Sequence, residues 1–204
     1  MLPRSVLLLW LLALGGLVPL PLLADERPDE EAEAIFAGGC FWCMEPPFDA
    51  VEGVLSTTSG YSGGDTESPS YEEVTGGDTG HYEVVRVTYD PSQVSYQRLL
   101  DVYWRNIDPL DDGGQFCDRG DSYRAAIFVA DANERRLAEA SRERIAERFK
   151  DPVVTEILEA APFYPAEDYH QNYYRENPVR YRFYRATCGR DGRLRELWGD
   201  EAGG

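Results

Sequence analysis

Apolar residues fall into three kinds of pattern along this chain. The first is an uncharged, leucine-dominated run over residues 6–18 behind a single Arg4, closed by Pro19, Pro21 and Ala24. A cationic start, an apolar stretch and small residues at its end predict a secretory signal peptide over residues 1–24. An uncleaved membrane anchor is the alternative, disfavoured because Pro19 and Pro21 interrupt the ~20-residue helix that spanning requires. Residues 25–33 hold six acids and predict a flexible acidic leader, so the folded domain occupies residues 34–204.

The second kind is the short apolar or β-branched run. Residues 34–37 (Ala-Ile-Phe-Ala) end at Gly38-Gly39 and suit a buried strand feeding a tight turn. Residues 54–59, 82–89, 123–130 and 153–158 have the same character. The third kind has helical spacing. Phe41, Met44, Phe48 and Val51 predict a helix starting near Cys40, with Pro46 and Pro47 required close to its first turn. Leu99, Leu100, Val102 and Tyr103 predict another behind the N-cap Ser95, and Leu137, Ala140, Ile145 and Phe149 a third over 132–150 behind Asp131. Residues 61–80 and 108–122 are rich in Gly, Ser, Thr and Asp and read as loops, and a short helix is expected near 193–198. The order β, α, β, β, α, β, followed by further α and β, predicts an α+β fold: a ferredoxin-like split βαβ plait (βαββαβ core) with a C-terminal α/β and coil extension.

Composition narrows the class. The 204 residues carry 37 acids against 20 bases, a formal net charge of −17, and Lys150 is the only lysine. Nucleic-acid binding needs clustered cations facing phosphates, so no nucleic-acid partner is expected. Thirteen Tyr, eight Phe and four Trp are enough for a packed core. Export would place the four cysteines in an oxidising compartment, where disulfides are usual.

Cys40 follows a strand and two glycines and opens a helix, which aims amides and the helix dipole at its sulfur and predicts an available thiolate. Cys43 completes a Cys-x-x-Cys pair. Zinc is not expected, because Cys117 and Cys188 stand alone without an adjacent histidine, and no cofactor is expected. Taken singly, Glu83 reads as an outward strand acid, Asp118 and Tyr123 as loop residues, and Tyr71 and His170 as packed or surface residues.

Taken in order, the motifs carry more. Gly39-Cys40-Phe41-Trp42, Ser59-Gly60-Tyr61-Ser62-Gly63-Gly64, Pro69-Ser70-Tyr71-Glu72-Glu73-Val74, Gly77-Asp78-Thr79-Gly80-His81, Tyr89-Asp90-Pro91 and Tyr123-Arg124-Ala125-Ala126-Ile127 occur in succession. This set resembles the type A peptide methionine sulfoxide reductases, over residues 34 to about 177. The resemblance implies reduction of the S epimer of methionine sulfoxide, free or in proteins. It assigns Cys40 as nucleophile, Phe41 and Trp42 as the wall for the substrate methyl group, and Glu83 as the acid. Tyr71 and Tyr123 would bind the oxygen, and Asp118 would order the site. A sulfenic acid on Cys40 would then need a resolving thiol and a thioredoxin-like electron donor. Cys188 is expected as resolver because a C-terminal segment can reach the site. Cys43 is the runner-up and Cys117 third, and a structural Cys117–Cys188 bond stays open. The protein is expected to act as a monomer. Two competing functions are a secreted thiol-disulfide oxidoreductase using Cys40 and Cys43, and a disulfide-stapled acidic binding domain.

Overall fold

The computed structural model describes residues 31–204, so the expected signal peptide and most of the acidic leader lie outside the described residues. The chain runs β1 (Ala32–Gly38), α1 (Phe41–Asp49), β2 (Val54–Ser62), α2 (Tyr71–Gly76), β3 (Tyr82–Tyr89) and α3 (Tyr96–Arg105). A two-stranded ribbon, β4 (Gly114–Gln115) and β5 (Asp118–Arg119), precedes β6 (Ala125–Val129), α4 (Ala132–Ala146), β7 (Glu156–Glu159) and β8 (Tyr164–Pro165). Three helices close the chain: α5 (Tyr173–Glu176), α6 (Pro178–Thr187) and α7 (Arg190–Trp198).

Six strands form one mixed sheet in the order β7-β6-β1-β3-β2-β8. Only β6 and β7 pair in parallel; the other neighbours are antiparallel. The fold is therefore α+β. Strand β1 begins at Ala32, two residues before the expected start, and Glu33 pairs in register with Thr88.

Alternation sorts the side chains of each strand. Phe36, Val85, Val87 and Ile127 face the main core with Phe48 of α1, Leu99, Tyr103 and Trp104 of α3, and Ala138 of α4. Phe36 stacks between Phe48 and Tyr103, each ring 5.1 Å away. Ala37, Tyr82, Val84, Ala126 and Phe128 point to the opposite face and form a smaller cluster.

The expected helices and central strands are present, and segments read as loop or coil hold further elements, the β4–β5 ribbon within 108–122 among them. The segment 61–80, read as loop, contains α2, nucleated by a capping box in which the Ser70 hydroxyl accepts from the Glu73 amide and the Glu73 carboxylate accepts from the Ser70 amide. The aromatic stretch 163–184 contains α5 and most of α6, whose apolar spacing is masked by interleaved arginines and tyrosines.

Candidate active site

The turn from β1 into α1 places the first functional group. Gly39 has φ +78, and a Cβ there would lie 2.5 Å from the Gln115 Cβ. Glycine at this position therefore lets the ribbon pack directly behind the turn. A Cβ on Gly38 would strike Met44 Sδ at 2.6 Å, so the second glycine lets α1 fold back onto its own entry. Cys40 is the N-cap, in a non-helical conformation, and its sulfur sits at the mouth of the helix.

A cavity of about 70 Å³ opens over that sulfur. Cys40, Phe41 and Trp42 line it from α1, Tyr71 from α2, Glu83 from β3, Asp118 from β5, and Tyr123 and Tyr184 from the far wall. Every residue to which the resemblance assigned a substrate-side role is present. Tyr184 is the lining residue that sequence reasoning missed. It lies in the stretch read as aromatic and polar, and its spacing of four from Cys188 is meaningful only once α6 is a helix.

Glu83 departs from its singly weighed reading as an outward acid. It is 1% exposed and shares the strand parity of Val85 and Val87, which face the main core. That parity was legible in the sequence. The first free amide of α1, Phe41 N–H, donates to Glu83 Oε2 at 3.1 Å. Burial pushes the Glu83 carboxyl up to about 8; the Phe41 amide opposes this, and Asp118 and Cys43 add to it. Near neutral pH Glu83 holds a proton.

The phenols are held in their protonated forms as well. Burial raises Tyr71 to about 12, with Glu83 adding to the effect, and raises Tyr123 further. The two residues line the same cavity, and each shifts the other. Tyr184 donates to Asp118 Oδ2 and lines the same cavity as Cys40, whose thiol it lowers. Asp118 is raised by burial and pulled back by Tyr184 and Arg190.

The apolar wall is braced from behind. Trp42 stacks on Tyr173 at 3.8 Å and 10°, and its indole Nε1–H donates to His170 Nδ1 at 3.1 Å. The His170 ring lies 5.0 Å from Phe41 and 4.4 Å from Tyr71, so one imidazole touches three lining residues. Accepting at Nδ1 requires the neutral Nε2–H tautomer, and burial lowers the His170 pKa in agreement. Glu167 joins the elements by accepting from the Tyr61 hydroxyl (2.8 Å) and the Tyr71 amide (2.9 Å).

The cysteines divide into two pairs. Cys117 and Cys188 are joined by a disulfide, Cα atoms 4.9 Å apart, so the pairing left open in the sequence is the one formed. Cys188, expected as resolver, has its sulfur engaged here. Cys117, Asp118 and Cys188 converge as a metal site would, but a bonded pair of sulfurs offers no thiolate to an ion. Cys40 and Cys43 are free and buried, and the Cys43 amide donates to the Cys40 carbonyl at 3.0 Å. Here one expectation changes. Burial, Cys43 and Glu83 raise the Cys40 thiol, outweighing its helix-mouth position, whereas the neighbouring Cys40 thiol, with Arg190 and Arg185, lowers Cys43 against the cost of burial. Within the pair, the nearby arginines favour ionisation of Cys43, and burial with Glu83 disfavours that of Cys40.

The sequence profile of the peptide methionine sulfoxide reductases matches residues 32–202. A protein of Caulobacter vibrioides named peptide methionine sulfoxide reductase MsrA 2 is 50% identical over 198 residues, covering 96% of this chain and 99% of that one. A Bacillus licheniformis protein named peptide methionine sulfoxide reductase MsrA is 55% identical over 168 residues, 81% of this chain and 93% of its own. Among solved structures, methionine sulfoxide reductase A of Corynebacterium diphtheriae superposes with a TM-score of 0.67 at 33% identity, over 76% of this chain and 78% of that one. Mxr1 of Saccharomyces cerevisiae in its reduced form gives 0.70 at 30%, over 75% and 89%. With a cysteine, a protonated carboxyl, phenols and an aromatic wall around one small cavity, and with these matches over nearly the whole described chain, the protein belongs to the peptide methionine sulfoxide reductase family.

Proposed function

We propose that this protein is a peptide-methionine (S)-S-oxide reductase, converting methionine S-sulfoxide, free or in proteins, to methionine. The observation that carries the reading is the Cys40 sulfur sharing one cavity with a carboxyl protonated near neutral pH. A methyl sulfoxide presents a polar oxygen on a soft sulfur between apolar carbons. Phe41 and Trp42 suit the methyl group, while Glu83, Tyr71 and Tyr123 offer O–H donors to the oxygen. Asp118 holds Tyr184 against the nucleophile.

Cys40 attacks the sulfoxide sulfur as Glu83 gives its proton to the oxygen. The oxygen passes to Cys40, methionine leaves, and the Cys40 thiol proton returns to Glu83. The sum is sulfoxide plus thiol giving sulfide plus sulfenic acid. We infer that Cys43, the runner-up, condenses with the sulfenic acid, because the Cys188 sulfur is already bonded, whereas Cys43 is free and its amide donates to the Cys40 carbonyl at 3.0 Å. Since Cys40 is a non-helical N-cap, the Cys-x-x-Cys ring is not confined within a regular helical turn. Water leaves, and a dithiol donor of the thioredoxin-like kind resets the disulfide.

The strand order β6-β1-β3-β2, with α1 and α3 as crossovers, supports reading the core as the ferredoxin-like split βαβ plait. The Arg4 start and the apolar run after it support export to a periplasmic or extracellular site. General disulfide exchange is not favoured, since that chemistry gives the buried Glu83 no task.

The test is an assay with methionine S-sulfoxide and dithiothreitol. Wild type turns over and Cys40→Ser does not; turnover surviving in Cys40→Ser removes the assignment. The wild-type reduction step should also slow as pH rises through about 8, where Glu83 loses its proton.

A further inference from the structure

Arg190 opens α7 and is 1% exposed, yet among the described residues no carboxylate lies within ion-pair distance of it. The other arginines of this corner are paired: Arg185 with Asp191 at 2.7 Å and Arg193 with Asp108 at 2.7 Å. Arg190 Nη2 donates to the carbonyls of Asn106 (2.6 Å) and Gly38 (3.2 Å) and contacts Met44 Sδ at 3.0 Å. Its guanidinium lies 4.4 Å over the Phe116 ring, and its Nε has no partner. Carbonyls, a thioether and a ring face solvate a cation without neutralising it, and a buried charge without a counter-ion is costly.

These contacts locate the charge. Gly38 lies two residues before Cys40, and Met44 directly follows Cys43. The ionisable groups in the Arg190 field are Cys43, Asp118 and Tyr181. Tyr181 is a phenol kept protonated by burial, and Asp118 already accepts from Tyr184. Cys43 is what remains for the cation to serve. The Cys117–Cys188 bond holds the arrangement, since Phe116 precedes one sulfur-bearing residue and Arg190 follows the other by two.

We propose that Arg190 is a positioning residue for the second half of the reaction: its buried charge keeps Cys43 as the thiolate that attacks the Cys40 sulfenic acid. This rests on Cys43 being the resolving thiol. In the step, the Cys43 sulfur forms a bond to the Cys40 sulfur as the S–O bond breaks. Hydroxide leaves as water with a proton from Glu83, which solvent replaces. Cys43 is oxidised by the amount that the Cys40 sulfur is reduced. The groups facing Cys43 are Cys40 and Glu83 from α1 and β3, Asp118 from β5, Tyr181 and Arg185 from α6, and Arg190 from α7. Removing Arg190 leaves Arg185 and the Cys40 thiol to favour the thiolate against burial and Asp118.

The experiment mixes reduced protein with one equivalent of methionine S-sulfoxide, without external reductant, and follows methionine release and disulfide formation separately across pH. In Arg190→Met the two steps should separate. Methionine release stays within about threefold of wild type, whereas disulfide formation at pH 7 falls roughly tenfold, because fewer thiolates outweigh their higher nucleophilicity. The pH midpoint of disulfide formation moves upward, and Arg190→Lys restores most of the rate. An unchanged rate and midpoint in Arg190→Met overturn the proposal, as does an equal loss in both steps in folded Arg190→Met and Arg190→Lys. Should Arg190→Met not fold, the ultraviolet thiolate absorbance of wild type at neutral pH, lost in Cys43→Ser, decides; its absence refutes the proposal. A disulfide on Cys40 that still forms at the normal rate in Cys43→Ser removes the resolver reading. Dependence on Cys43 with no effect of Arg190→Met removes only the role of Arg190.

Discussion

Each reactive side chain here takes its behaviour from a few neighbours. Glu83 and Cys40 are both buried, and burial favours the neutral form of each. In the proposed role of Glu83, giving a proton to a sulfoxide oxygen, this is the useful direction. His170 works differently, as an acceptor that must stay neutral. If its Nδ1 were protonated, two N–H groups would face each other across the Trp42 contact. Replacing His170 by Phe keeps a ring against Phe41 and Tyr71 but removes the acceptor for the indole. The expected outcome is a KM for methionine sulfoxide several-fold higher, a kcat nearly unchanged and a shifted Trp42 fluorescence, read from steady-state kinetics and emission spectra. A fall in kcat alone would contradict this.

At the scale of elements, the site depends on how three segments meet at the C-terminal end of β1. The Gly38-Gly39 turn, the β4–β5 ribbon and the α6–α7 corner pack on one another, and the disulfide ties the last two. Gly39→Ala tests this junction. Its φ of +78 is strained for alanine, and the new Cβ would meet Gln115 Cβ at 2.5 Å. A destabilisation of at least about 2 kcal/mol is expected, measured from the urea midpoint, together with lower activity because Cys40 is the next residue. An equally stable, fully active variant would show that the ribbon can retreat. Prolines at 46 and 47 are accommodated inside α1, where sequence reasoning confined them to the helix start.

Across the whole molecule, buried titrating groups link stability to pH. Glu83, raised to about 8, and Glu45, raised to about 7 mainly by burial, both ordinarily ionise near 4.5. Between these values the folded protein holds protons that the unfolded chain has released, so stability from these groups is full below about 4.5 and is lost as pH rises. Cys43, with a lowered pKa, has the opposite sign, adding stability at high pH and losing it as pH falls. In Glu83→Gln the glutamate contribution disappears. The Tm of the variant relative to wild type should therefore rise as pH increases from 4.5 to 8, followed by thermal melts, and a pH-independent difference would contradict the assignment.

Much of this was legible along the chain. The strands, the caps at Ser95 and Asp131 and the helix opening at Cys40 follow from local periodicity and turn chemistry, which depend on near neighbours in sequence, while the roles expected of Tyr71, Glu83 and Tyr123 came from the resemblance of the ordered motifs to a known family. What needed the folded molecule was whatever depends on segments far apart meeting. Glu83 is buried because β3 is interior to the sheet, Tyr184 lines the cavity over Cys40 because α6 is helical, and His170 finds Trp42 across 128 residues. The Cys117–Cys188 bond spans 71 residues, and it leaves Cys40 and Cys43 as the free pair. Proton affinities in that pair belong with these, because the desolvation and counter-charges that set them come from α6, α7 and β3, whose approach no local spacing encodes.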